Sequence, residues 1–158
     1  MAIYPYKTEP ILDYSLLDNQ KKYQEALKKL RELLGGEYPL IIDGQRIKTG
    51  KTLPSSNPAR HKEFIGYVHQ AGIKEAEEAM QVALRTFKTW SKRSITERAD
   101  ILFKAAAIYR RRRFELNALI TLETGKPWVE ADADVAEAID FLEYYGRQIL
   151  EVGKVDEK

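Results

Sequence analysis

Apolar positions along this chain change their period twice. Tyr23, Leu27, Leu30 and Leu34 recur three or four residues apart. That spacing predicts a helix over residues 15–36, opened by Ser15 with Asp18 as an S-x-x-D cap and stopped by Gly35-Gly36. Between 38 and 70 the runs become short. Leu40-Ile41-Ile42 and Gln45-Arg46-Ile47 flank Asp43-Gly44, a strong hairpin signal. The Asn57-Pro58 turn precedes Phe64, Ile65, Tyr67 and Val68, which read as a further strand.

From Ile73 the helical period returns. Ala76, Met80, Ala83, Phe87 and Trp90 form one stripe. Ser94-Ile95-Thr96-Glu97 is a capping box that starts a second, with Ile95, Leu102, Ala106, Tyr109, Leu116 and Ile120 on it, broken by Gly125 and Pro127. A third helix carries Trp128, Ala131, Val135, Ala138, Leu142, Tyr145 and Ile149 and is expected to end at Gly153. Residues 1–14, with Pro5 and Pro10, read as an extended arm that must lie on something else. The expected class is α+β and mostly helical. It comprises an N-terminal helix, one or two small β-hairpins over 38–70, and three consecutive helices over 73–153, with no parallel βαβ sheet and no repeat.

The length of 158 residues fits one segment, 1–158, with a real core. Lys plus Arg number 26 against 24 Asp plus Glu, so the net charge of +2 supplies no electrostatic case for nucleic acid or an anionic membrane. No apolar run approaches a membrane span, and no signal or transit peptide is visible. Cysteine is absent, which removes thiolate nucleophiles, disulfides and Cys-based metal sites and fits a cytoplasmic protein.

The remaining candidates for chemistry are few. Arg110 to Arg113 point all around a helix and form no single basic face; Arg113 falls on the apolar stripe and is expected to snorkel or to pair with a carboxylate. His61 and His69 are read as exposed, without enough neighbours for a metal site or a Ser-His-acid arrangement. Gly35-Gly36, Gly44 and Gly125 are isolated breakers, and no nucleotide-binding glycine fingerprint occurs. In the acidic series of the last helix, Glu130, Asp134 and Glu137 share a side with Phe141, while Asp132 and Glu143 lie on the other flank. Spacing alone reads these acids as solvated. Phe141 among them makes the helix apolar on more than one side, which calls for further structure over it and would put Glu137 at the border of a covered pocket.

The stretch Glu123-Thr124-Gly125-Lys126-Pro127, with Glu130-Ala131 and Tyr144-Tyr145, resembles the aldehyde dehydrogenase superfamily. Val129 to Phe141 (VEADADVAEAIDF) is similar to the 1-pyrroline-5-carboxylate dehydrogenase group within it. So are Tyr38 to Gly44, Ser56-Asn57-Pro58-Ala59, Phe87 to Trp90 and Arg98 to Leu102. The similarity covers the chain to about Leu150. It implies the N-terminal segment of an enzyme that oxidises glutamate 5-semialdehyde to glutamate with NAD in proline and arginine breakdown, packed against an α/β cofactor domain. The family chemistry uses a cysteine nucleophile, an oxyanion hole and a Glu-activated water. The resemblance puts those parts outside this chain, so it implies no catalytic, cofactor-binding or metal residue here and no turnover by the chain alone. It implies one pocket residue, Glu137, which matches a Glu lining the aldehyde pocket. It also implies the rest of the dehydrogenase as partner and a homo-oligomer when complete. The rival expectation is a non-catalytic helical module that self-associates or binds a partner through its unmet apolar faces.

Overall fold

The computed structural model describes residues 5–156, with side chains to Gly153. The class is the expected α+β one, mostly helical with small sheets: α1 (Leu17–Arg31), β1 (Gly36–Tyr38), β2 (Leu40–Ile42), β3 (Gln45–Ile47), β4 (Thr52–Asn57), β5 (Arg60–His69), α2 (Ile73–Trp90), α3 (Ile95–Arg111), α4 (Arg113–Thr124) and α5 (Trp128–Asp156).

Four helices, not three, follow the strands among the described residues. The stripe from Ile95 to Ile120 belongs to two of them. Arg112 adopts φ −99° and ψ 14°, ending α3 and starting α4. Arginine is a good helix former, so its side chain carries no stop signal. Ser15 does not cap α1; Leu16 holds that position without a side-chain bond, while Ser15 N–H donates to Asp13 Oδ1 at 2.8 Å. Ser94 and Glu97 do form the reciprocal capping box of α3.

The β2–β3 hairpin turns on Asp43 (φ 52°) and Gly44 (φ 74°), the two left-handed residues that a type I′ turn demands. β4 and β5 form a longer antiparallel hairpin, with Asn57 Oδ1 accepting from Ala59 N–H at 2.9 Å inside its turn. Gly36, read with Gly35 as the stop of the first helix, instead opens a strand, Gly36-Glu37-Tyr38, that pairs in parallel with Gly66-Tyr67-Val68. This is the only parallel pair among the described strands, and no helix lies between its members as a βαβ unit would require without intervening strands. His69 closes β5 and is 5% exposed, contrary to expectation. Its Nδ1 accepts from Thr49 N–H at 2.9 Å, and its Nε2 lies 3.6 Å from Glu37 Oε2. His61 is exposed.

The core lies where α3, α4 and α5 meet. Ala106, Val135 and Ile139 are buried, with Leu116, Ile120 and Leu142 packed around them. Gly153 does not end α5 but lies buried within it, against the Ile95 side chain of α3. Gly146, two turns earlier, faces Phe103 in the same way. Both glycines let α3 approach the α5 backbone closely. On the other side, Tyr23 of α1 stacks on Trp128 of α5 at 4.6 Å, and its hydroxyl donates to Asn117 O at 2.9 Å.

Candidate functional site

α5, 29 residues long, carries both buried side chains and the exposed Glu137. Its first half carries acids on two faces with opposite fates. Asp132 faces inward, four residues after Trp128 and three before Val135, and is completely buried. It accepts from Arg113 Nε at 2.6 Å and Arg113 Nη2 at 2.7 Å, from Asn117 Nδ2 at 2.7 Å and from Leu12 N–H at 2.7 Å. Four donors satisfy a buried carboxylate that would otherwise be very costly to desolvate. The expectation of a solvated Asp132 is therefore corrected, and the carboxylate expected for Arg113 is identified. The signal was available: an acid and an arginine each interrupted an apolar stripe.

One turn beyond Glu137, Asp140 Oδ1 accepts from Glu9 N–H at 2.8 Å. The Glu9 carboxylate receives Arg110 at 2.8 Å and Arg113 at 3.4 Å. Arg110 also reaches Glu143 at 2.6 Å. Residues 9–12 are thus tied to α5 through Asp132 and Asp140 and to the α3–α4 junction through Glu9. The arginine run works as structural pairing: Arg112 bonds Glu115, and Arg113 is buried.

These groups shift one another's acidity. Burial opposes ionisation of Glu143, but hydrogen bonds from Arg147 and Arg110 hold its carboxyl below the usual 4.5. Burial, then the Asp132 charge, raises the Tyr14 hydroxyl well above its ordinary value. Burial likewise raises that of Tyr23. Tyr14 accepts from Asn117 Nδ2 at 3.1 Å, which ties the arm into the same network.

The outer face of α5 holds Glu130, Asp134, Glu137 and Phe141, as the helical spacing predicts. Asp134 pairs with Lys126 at 2.5 Å, whereas Glu137 has no polar partner among the described residues. Glu137 is exposed, so the described residues form no covered pocket around it. An aromatic series continues the face: Phe141 stacks on Tyr145 at 6.0 Å, Tyr145 meets Tyr144 edge-on at 5.4 Å, and Tyr144 meets Tyr6 at 5.6 Å. The aromatics leave Glu137 at the acidic end of a large exposed apolar strip.

The helix that follows β5 is capped at Gly72, whose N–H donates to the Glu75 carboxylate at 2.8 Å. Glycine-cradled phosphate loops are absent from the sequence. No group of three or more metal-ligating side chains occurs among the described residues, and no described helix is long and apolar enough to cross a membrane.

The Aldehyde dehydrogenase family profile matches residues 46–156. The 1-pyrroline-5-carboxylate dehydrogenase of Bacillus pumilus (strain SAFR-032) is 53% identical over 150 residues, 95% of this chain and 29% of the relative. A structure of the 1-pyrroline-5-carboxylate dehydrogenase from Thermus with bound NAD superposes with a TM-score of 0.91 at 44% identity, over 93% of this chain and 28% of that one. Proline utilization A from Bdellovibrio bacteriovorus, inactivated by N-propargylglycine, gives a TM-score of 0.91 at 36% identity, over 93% of this chain and 15% of that one. The chain therefore spans less than a third of the length of these proteins.

Proposed function

Since the chain belongs to the aldehyde dehydrogenase family, we propose that it is the N-terminal part of an NAD-dependent dehydrogenase that oxidises glutamate 5-semialdehyde to glutamate. The setting is cytoplasmic proline and arginine catabolism, and the chain forms part of the cofactor-binding domain. The observation that carries this reading is the identity of 53% over 95% of the chain to the Bacillus pumilus 1-pyrroline-5-carboxylate dehydrogenase. The sequence has no cysteine, so the nucleophile, like the NAD site, is assigned to the remainder of the enzyme.

Within this reading the chain's own contribution is the α5 face. Glu137 projects from a helix anchored at Asp132 and Asp140, so its position is fixed by the interior although its carboxylate is in water. Covered by the remainder, it walls the aldehyde pocket, with Phe141 one turn along. A carboxylate without a polar partner is free to hold a substrate ammonium or a bound water there.

The test is a chimera in which this chain replaces the matched 150 residues of the Bacillus pumilus enzyme. NADH formation from glutamate 5-semialdehyde is followed by absorbance. The expected result is turnover by the chimera, its loss or strong reduction on Glu137→Ala, and none from the 158-residue chain alone. A soluble, folded chimera without turnover would falsify the assignment. Unchanged turnover after Glu137→Ala would leave Glu137 as scaffold.

A further inference from the structure

Thr49 presents two backbone atoms to one ring nitrogen. Its N–H lies 2.9 Å and its carbonyl oxygen 3.0 Å from Nδ1 of His69, which closes β5 and is buried. The neutral ring takes the first as its donor. A ring protonated on Nδ1 finds the second already within hydrogen-bonding reach. The Thr49 hydroxyl is engaged elsewhere, donating to Lys51 O at 2.9 Å. On the far side of the ring, Nε2 is buried without a hydrogen-bond partner among the described residues. The acid facing it is Glu37 of β1, whose Oε2 lies 3.6 Å from Nε2 and 2.5 Å from Lys48 Nζ. Thr52 of β4, paired opposite His69, brings no charge. Among the described residues, Glu37 is thus the counter-charge at the ring, and Lys48, on the same oxygen, is the cation beside it. The hydrogen bond from Lys48, above all, holds the Glu37 carboxyl below its usual 4.5. Glu37 is therefore still ionised where a histidine changes charge, between about pH 5 and 8.

We propose that His69 is a pH-sensitive switch on the link between the two sheets. A proton taken from solvent onto Nδ1 converts that nitrogen from acceptor to donor. The Thr49 N–H is then released and the Thr49 carbonyl engaged, while Nε2–H of the imidazolium closes on Glu37 in a charge-assisted bond. The ring need not move, because both partners of Nδ1 are already in place. Residues 48–51 join β3 of the two-stranded sheet to β4 of the three-stranded one. They are tied to the end of β5 at one further point, where Gln70 N–H donates to Lys51 O at 2.9 Å. That bond contains no titrating group. Acid therefore resets the peptide groups around Thr49 and leaves the β4–β5 ladder as it is. The switch is built wholly from this chain's residues and stands independently of the dehydrogenase assignment.

The test is a nitrogen-15 NMR titration of the 158-residue chain, with His61, exposed on the same strand, as internal reference. The range runs from about pH 8 to about pH 5. The His69 ring should pass from one protonated nitrogen to two. The Thr49 amide should follow with the same midpoint and lose about threefold or more of its exchange protection. Glu37→Gln should lower that midpoint by about half a pH unit or more, and Lys48→Met should raise it. His69→Gln should abolish the Thr49 response. Three results overturn the proposal: a His69 ring that keeps a single proton throughout, a Thr49 amide that ignores that ring or follows His61 instead, or a midpoint unmoved by Glu37→Gln. The Glu37 and Lys48 side chains are 51% and 67% exposed, so their variants carry the test even where His69→Gln does not fold.

Discussion

Arg113 and Asp132 meet in the interior through two nearly parallel contacts, Nε to Oδ1 at 2.6 Å and Nη2 to Oδ2 at 2.7 Å, joining the start of α4 to the start of α5. The pair is bidentate, and its side chains are 8% and 0% exposed. Such geometry fixes direction as well as distance, so α5 is held at one rotation about its axis. That rotation sends Glu137 outward.

Removing one member of the pair should cost more than removing both. Asp132→Ala leaves the guanidinium buried and Asn117 Nδ2 short of its acceptor, for a loss of about 3–5 kcal/mol. Arg113→Met combined with Asp132→Leu removes the stranded charge and should recover part of that loss. Urea unfolding of the two variants measures the difference; a double variant less stable than Asp132→Ala would contradict the account.

Acid should loosen the junction through Glu143. Its carboxyl is held below 4.5 in the folded chain by Arg147 and Arg110, against the opposing effect of burial. The sign follows from linkage: the stabilisation is complete above 4.5 and is lost as pH falls through the lowered folded value. The unfolding midpoint should therefore drop more steeply below that point in the wild-type chain than in Glu143→Gln, which is already weakened near neutrality. Parallel curves for the two would mean that Glu143 contributes nothing.

Gly146 is predicted to resist improvement by alanine. In an exposed helix the change gains about 1 kcal/mol. Here an added Cβ would meet Phe103 Cε1 at 2.7 Å, and Arg147 lies over that ring at 5.2 Å and keeps it in place. Gly146→Ala should be destabilising by about 1–3 kcal/mol. The same substitution in a Phe103→Ala background should be neutral or favourable, as thermal melts would show.

His69 Nδ1 faces both Thr49 N–H at 2.9 Å and Thr49 O at 3.0 Å; the N–H aimed at it favours Nδ1 as acceptor, which predicts the ring proton on Nε2. Nitrogen chemical shifts of the ring distinguish the two tautomers directly. His69→Ala should free the Thr49 loop, read as faster amide exchange at Thr49.

The sequence revealed what is local or periodic. Asp43-Gly44 foretold its hairpin, Ser94 and Glu97 their capping box, and the α2 stripe its helix. It did not reveal that the α2 stripe stays in water, because periodicity says which side wants cover and not whether cover is present. The β1 strand was missed because Gly36-Glu37-Tyr38 gains its identity from Gly66-Tyr67-Val68, far along the chain. Arg112 hid the α3–α4 break behind a side chain with good helical propensity. At the site, Phe141 among acids correctly placed one outer face, but Asp132 was assigned to solvent because its partners lie on two other segments, the N-terminal arm and α4. The role proposed for Glu137 rests on family likeness and on the reading of Phe141; nothing in its local geometry distinguishes it from its exposed neighbour Glu130.

The hydrogen bonds from Glu9 N–H to Asp140 and from Leu12 N–H to Asp132 span 131 and 120 residues. The acceptors leave the ribosome 131 and 120 residues after their donors. At roughly 5–20 residues per second, the arm must wait about 6–25 s for the carboxylates that hold it. During synthesis it is therefore open to chaperones and proteases, while the β-hairpins, whose partners lie close in sequence, can already pair.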